Sequence, residues 1–183
     1  MTNTQFQCLK CRNILKKERN SLKCNYCGNS WKINKDIPQF SKNPIYWGEI
    51  KKNEMIHINK QLKKNKYWKN VLKKVIEKNP RKQFPEPYSF ATDLSRANWH
   101  FLLHLNKSSK VLEIGAGLVT VSEILANYYD EVISIEPVKE RLDFCKKRLQ
   151  QEGIKNVKMV NANALELPFP ENTFDLVVMN GVL

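Results

Sequence analysis

The chain has 183 residues, a formal net charge of +13 and 42% hydrophobic residues, which leaves room for one ordinary domain with a small module beside it. The charge is uneven: residues 1–90 carry 21 Lys and Arg against 6 Asp and Glu (net +15), and residues 91–183 carry 10 against 12 (net −2). Met1 to Gln7 holds no apolar signal core and no later apolar run is long enough to span a bilayer, so the sequence predicts a soluble, cytoplasmic protein rather than a secreted or membrane-spanning one.

Cys8-x2-Cys11 and Cys24-x2-Cys27, twelve residues apart, are the most specific chemical signal. Two such knuckles bring four thiolates around one tetrahedral Zn2+, and in a reducing compartment paired cysteines favour metal over disulfides. Four protein ligands leave no position for water, so the zinc is expected to be structural. Gly28, then Trp31 and Ile33 at alternating positions, fit a short hairpin. So small a module has little core, and metal binding worth about 10–16 kcal/mol would supply most of its folding energy. Residues 1–42 are read as a zinc ribbon.

Residues 43–90 form a basic helical linker region. Asn43-Pro44 to Gly48 reads as a connector anchored by Tyr46 and Trp47. From Lys51 to Asn79, Met55, Ile58 and Leu62, then Trp68, Val71, Leu72, Val75 and Ile76, recur at helical spacing with lysines between them. One or two amphipathic helices follow, closed by Pro80. Their apolar stripe is expected to pack on the neighbouring domain; the alternative is a basic surface for RNA or an acidic membrane. His57 has no assigned role. Arg81 to Phe90, with Pro85 and Pro87, forms a break. Asp93 or Thr92 then caps a helix reaching about Leu105, with Leu94, Ala97, Phe101 and Leu105 on one face.

Residues 91–183 then alternate strand and helix: strand Lys110 to Ile114, helix of about Leu118 to Tyr128, strand Glu131 to Ile135, helix of about Val138 to Gln151, and strands Asn156 to Asn161 and Phe174 to Asn180. The pattern predicts an α/β fold with a Rossmann-like parallel sheet. In Val111-Leu112-Glu113-Ile114-Gly115-Ala116-Gly117 a buried strand breaks into a glycine turn that admits a nucleotide-type ligand. A dinucleotide fingerprint needs a third glycine where Thr120 stands. Glu136 ends the second strand nineteen residues after Gly117, which suits an acid accepting from ribose hydroxyls. Leu176-Val177-Val178-Met179 is apolar on both faces, as a central parallel strand is.

The glycine turn, Glu136, and Asn161 to Asp175 with its Leu167-Pro168-Phe169-Pro170 turn and Phe174-Asp175, together resemble the class I S-adenosylmethionine (SAM) methyltransferases. Cys8 to Phe40 resembles zinc ribbons placed ahead of the catalytic domain in some bacterial members. The resemblance covers about residues 84–183 and 6–41 and implies cofactor contacts at Glu113, Gly115, Ala116, Gly117, Glu136, Pro137, Asn163, Ala164 and Asn180. Asn163 stands where the family has Asp, and Val119 where it has another glycine or small residue. The segment Thr92 to Trp99 resembles the helix that commonly helps cover the cofactor, which makes Arg96, Trp99 and His100 candidates to face it, packing and surface roles being the leading reading for each. The family's fold has three further strands, so the chain is expected to be a fragment of a longer enzyme. The resemblance of Tyr46-Trp47-Gly48-Glu49 and Arg96 to Trp99 to ribbon-bearing members implies a small-molecule or glycan acceptor. An RNA acceptor and a non-catalytic binding module are the alternatives. No residue identifies the catalytic base, for which His100, His104 and Asn180 are candidates, and nothing specifies an oligomeric state.

Overall fold

In the computed structural model, residues 4–42, 44–46, 48, 50–78 and 87–182 are described. Trp47, Glu49, Pro80 and the Arg81 to Glu86 part of the proline break lie outside them.

The N-terminal module is an antiparallel sheet of β1 (Lys16–Lys17), β2 (Ser21–Lys23), β3 (Ser30–Asn34) and β4 (Ile37–Pro38), in that order. Lys35 and Asp36 close the β3–β4 hairpin with φ of 49° and 66°, the left-handed pair that a two-residue turn requires to match strand twist. Beyond β4 the chain runs into the second sheet. The amide of Asn161 donates to the Pro38 carbonyl (2.9 Å), and the amide of Phe40 donates back to the Asn161 carbonyl (2.7 Å). Proline has no N–H to give to a ladder, but its carbonyl is used in full.

The second sheet is parallel, with order β7–β6–β5–β8: β5 (Lys110–Ile114), β6 (Glu131–Ile135), β7 (Val157–Val160) and β8 (Leu176–Met179). β5 and β6 have the expected bounds. β8 pairs only with β5 among the described residues, and Val177 and Met179 are about half exposed, at 53% and 46%. Among the described residues β8 is thus an edge strand, although its sequence reads as a central one.

The alternation of side chains along β5 and β6 separates two cores. Leu112, Ile114, Ile133 and Ile135 face the ribbon, where they join Leu15, Trp31, Phe40 and Phe169. Val111 and Val132 face the other way, toward Val121, Ile124 and Leu125 of helix α4 (Thr120–Leu125). The N-terminal four-cysteine module thus forms one of the two layers that a parallel sheet needs.

Helices α1 (Lys52–Leu62) and α2 (Trp68–Lys78) bury the predicted stripe against α5 (Lys139–Gln151), so packing on the neighbouring domain is what the apolar face does. Trp68 is fully buried, meets Phe144 edge to face at 5.9 Å and donates its indole N–H to Glu152. A short helix α3 (Pro87–Thr92) follows.

Two helical expectations need correction. Residues Leu94–Leu102 form a 3-10 helix instead of an α-helix to Leu105; Asp93 caps it by accepting from the Ser95 amide (2.9 Å). At three residues per turn Ala97 and His100 share the inward face and Phe101 falls off it, exposed; Leu94, at the first position of the helix, is half exposed although it lies on the same row. Helix α4 is also shorter than predicted, beginning after a left-handed Val119 and ending at Leu125.

Replacing Trp68 with alanine is expected to cost about 3–5 kcal/mol in urea unfolding, as for other buried tryptophans. A loss under about 1 kcal/mol would mean that α2 is not part of the core.

Candidate cofactor site and metal centre

β5 ends in Gly115 (φ 72°), Ala116 and Gly117 (φ 55°). The Val182 side chain lies 2.5 Å from the place a Cβ on Gly115 would occupy, whereas a Cβ on Gly117 would meet nothing nearer than 3.9 Å. The first glycine is needed for close approach and left-handed backbone, the second for backbone alone.

All three turn amides have protein partners. Those of Gly115 and Ala116 donate to the Ile135 carbonyl (3.0 and 2.9 Å), and that of Gly117 donates to Glu136 Oε2 (3.0 Å). The other carboxylate oxygen of Glu136 accepts from the Val138 amide (2.9 Å), and Arg141 Nη1 lies 3.8 Å from Oε2. A phosphate cradle needs amides that point at the ligand; this turn has committed its own. Burial raises the Glu136 carboxyl above its usual range, opposed by Arg141 and the two amides.

Glu113 points to the α4 side of the sheet, accepting a hydrogen bond from Ser122, which shares another with Ser134 (2.5 Å). Burial pushes its carboxyl up to about 7, with the Ser122 bond, Arg96 and Arg148 opposing. A cation brought beside Glu113 would favour its ionised form.

The cleft over the turn is lined by Gly48, Phe90, Arg96, Glu113, the glycine turn, Arg141 and Asn180 among others, and holds about 50 Å³. Arg141 fills the space beside Gly48, and Arg96 stands over the Phe90 ring (3.5 Å) and donates to Asn180 Oδ1 (2.7 Å). To admit a nucleoside, Arg141 and Val182 must swing aside.

Of the residues expected at the cofactor, Glu113, Gly115, Ala116, Gly117 and Asn180 come together in this cleft, with Glu136 bonded to the turn. Pro137 follows Glu136, its carbonyl accepting from Asn161 Nδ2 (2.8 Å). Asn163 and Ala164 lie elsewhere. Asn163 is exposed, accepts from the Leu165 amide (3.1 Å), and borders a separate cavity of about 390 Å³ beside Trp31, Phe40 and Ser41; Ala164 packs at the edge of the ribbon-side core. Arg96 lines the cleft, but Trp99 and His100 do not. Trp99 packs against the α4-side core with its indole N–H donating to the Arg96 carbonyl (2.9 Å), and His100 is buried between Phe101 and Tyr128. His104 is exposed outside the cleft.

Val119 follows the turn in left-handed conformation (φ 60°, ψ 26°) and is fully buried. For a β-branched residue that geometry costs on the order of 1–2 kcal/mol. Helix α5 holds the segment from below through two residues that carry no sequence motif. Cys145 donates its S–H to the Gly117 carbonyl (3.2 Å) and Arg148 Nη1 donates to the Leu118 carbonyl (2.9 Å).

The sulfurs of Cys8, Cys11, Cys24 and Cys27 all lie within 4.8 Å of one another, close to the edges of a tetrahedron with Zn–S bonds of about 2.3 Å. Each knuckle folds alike: the Arg12 amide donates to the Cys8 carbonyl, and the Gly28 amide to the Cys24 carbonyl. Asn13 Nδ2 donates to Cys11 Sγ (3.5 Å) and Asn29 Nδ2 to Cys27 Sγ (3.1 Å). The repeated Cys-x2-Cys-x-Asn was legible and carries this second layer of contacts. Four soft donors of this compactness fit zinc.

Residues 112–183 match the family model described as a methyltransferase domain. The match covers well under half of the chain, and over it the chain is similar to methyltransferase domains. An uncharacterized methyltransferase of Bacillus subtilis (strain 168) is 32% identical over 68 residues, 37% of this chain and 27% of that protein. One from Schizosaccharomyces pombe is 34% identical over 92 residues, 46% of this chain and 33% of that protein. The chain thus spans about a third of the length of these relatives. A solved structure from Methanococcus maripaludis, assigned as a SAM-dependent methyltransferase, shares the fold with TM-score 0.50 at 14% identity over 77% of this chain and 55% of that one.

The folded carboxyl of Glu113 lies above its unfolded value of 4.5, so its contribution to stability is full below pH 4.5 and is lost as pH rises through 7. The methyltransferase domain of Glu113→Gln should therefore gain on the native protein by about 2–3 kcal/mol between pH 5 and pH 8 in denaturant unfolding. A difference that does not change with pH would show that Glu113 titrates as an ordinary carboxylate.

Proposed function

We propose that the chain belongs to an enzyme that transfers a methyl group from SAM to a small-molecule or glycan acceptor, with a structural zinc ribbon at Cys8, Cys11, Cys24 and Cys27. The observation that carries the cofactor reading is the glycine turn whose amides are all engaged, Gly117's by the Glu136 carboxylate. Such a turn offers nothing to a pyrophosphate, while Glu113 and Glu136 suit a cationic nucleoside. Bound SAM supplies an electrophilic methyl on a sulfonium. The chain's part is to hold the reactants in line and exclude water: in this reading Glu136 takes the ribose hydroxyls and Glu113 balances the cation, both beside the glycine turn. For the acceptor, Arg96 and Asn180 at the edge of the cleft offer a guanidinium fork and an amide suited to hydroxyl or carboxylate groups.

An RNA acceptor is the second reading. Lys63, Lys64, Lys66, Lys73, Lys74 and Lys78 all remain exposed on and between α1 and α2, and matched relatives include one named for ribosomal RNA as well as one named for demethylmenaquinone.

Calorimetric titration of the zinc-loaded chain should show micromolar binding of SAM and S-adenosylhomocysteine and none of NAD. NAD binding, or none of the three by a folded sample, would overturn the cofactor reading. Retention of unrelated RNAs that falls steeply with salt would favour the RNA acceptor. Removing the metal with a chelator should unfold β1–β4 and expose Phe40, seen as loss of the ribbon's amide protection. Unchanged protection would show that the ribbon does not depend on metal.

A further inference from the structure

Arg148 is a guanidinium on α5 with a side chain 1% exposed. Its Nε donates to Glu123 Oε2 (2.7 Å) on α4, and its Nη1 to the carbonyls of Ala91 (2.8 Å) and Leu118 (2.9 Å) and to Thr120 Oγ1 (3.3 Å). Thr120 Oγ1 itself donates to the Ala91 carbonyl (3.0 Å). The guanidinium lies 4.0 Å from the Trp68 ring centroid. A buried charge of this kind is a poor source of stability, since an apolar side chain of similar volume often serves as well. What it does supply is direction. Every bond it makes to the α4 segment falls on Leu118 or Thr120, which flank the left-handed, fully buried Val119, or on Glu123 one turn farther on.

We infer that Arg148 is the positioning residue of the cofactor turn: from α5 it holds Leu118 and Thr120 so that Val119 keeps a backbone conformation that otherwise calls for glycine. The inference deepens the cofactor reading above and, for its ligand readout, rests on it. The mechanism is local. Strain at Val119 is relieved by rotation of the Leu118–Val119 peptide, and the Leu118 carbonyl cannot rotate while Arg148 grips it. Gly117 sits immediately before, donating its amide to Glu136, so relaxation at Val119 would draw the turn away from the acid expected to hold the ribose. Glycine at 119 has no such strain to relieve, and the clamp then becomes dispensable. That dependence separates a positioning role from ordinary core packing, in which the cost of losing Arg148 is the same whatever stands at 119.

The test is a double-mutant cycle on the zinc-loaded full chain with Arg148→Met, Val119→Gly and the pair. Arg148→Met is expected to weaken S-adenosylhomocysteine binding about 30-fold when Val119 is present, but under about threefold when residue 119 is glycine. Exchange of the Gly117 amide with solvent deuterium gives a readout that needs no ligand. Its protection should fall about tenfold in Arg148→Met and return in the pair. Equal losses in both backgrounds would overturn the inference. If Arg148→Met does not fold, Arg148→Lys replaces it, a single ammonium that cannot hold Glu123 and reach the two carbonyls at once as Nε and Nη1 do. Folding restored by Val119→Gly supports the clamp, and failure in both backgrounds assigns Arg148 to the core alone. Should the native protein bind no S-adenosylhomocysteine while the exchange coupling holds, the cofactor reading falls and the clamp stands.

Discussion

The carboxylate of Glu136 joins three parts of the molecule that would otherwise meet only loosely. One oxygen takes the amide of Gly117 at the end of β5, and the other takes the amide of Val138 where α5 begins. A buried carboxylate is expensive unless its lone pairs are engaged, and one backbone amide on each oxygen with a guanidinium 3.8 Å away offsets part of that cost. The consequence is a fixed distance between the glycine turn and the start of α5. That distance sets what Cys145 and Arg148, farther along the same helix, can reach beneath the turn.

The ribbon solves a different problem. A parallel sheet exposes two apolar faces, and among the described residues helices cover only one of them. β1 to β4 cover the other with aromatic side chains while the Pro38 and Phe40 backbone joins the edge at β7. Phe6, Trp31, Phe40, Phe169 and Phe174 form a chain of ring contacts from the knuckles to the loop before β8. The four clustered cysteines suit this role, since a metal held by them would fix a module too small to fix itself and keep its apolar face rigid.

Much of this was legible in the sequence, for identifiable reasons. β5 and β6 have the predicted bounds because glycine or a turn closes each strand and the apolar runs carry no ambiguity. The α1 and α2 stripe was legible because eight apolar positions repeat at helical spacing. The segment 94–102 was misread because Leu94, Ala97, Phe101 and Leu105 fit an α-helical stripe, while the chain winds at three residues per turn and turns Ala97 and His100 inward. Val119 was marked by its departure from glycine, yet the backbone keeps the glycine-like conformation, which composition alone does not reveal. Arg148 and Cys145 left no signal, since a basic residue and a cysteine on an amphipathic helix look like surface and filler. Only the topology brings them under the turn. Asn163 was read onto the cofactor by resemblance, and the fold places it beyond the cleft, at the ribbon's edge.

Ribbon docking and acid placement are a single constraint on register. Along β5, Leu112 and Ile114 face the ribbon while Val111 and Glu113 face α4; along β6, Ile133 and Ile135 face the ribbon while Val132 and Ser134 face α4. Side chains alternate with a period of two, so a slip of one residue would send Glu113 into the aromatic cluster and leave Ser134 without Ser122. An ionisable group among phenyl rings has no partner to offset its desolvation. The aromatic face of the ribbon therefore rejects the register that would misplace Glu113, and the Ser122–Ser134 pair rewards the correct one. A module that takes no part in lining the cleft still decides which way Glu113 points.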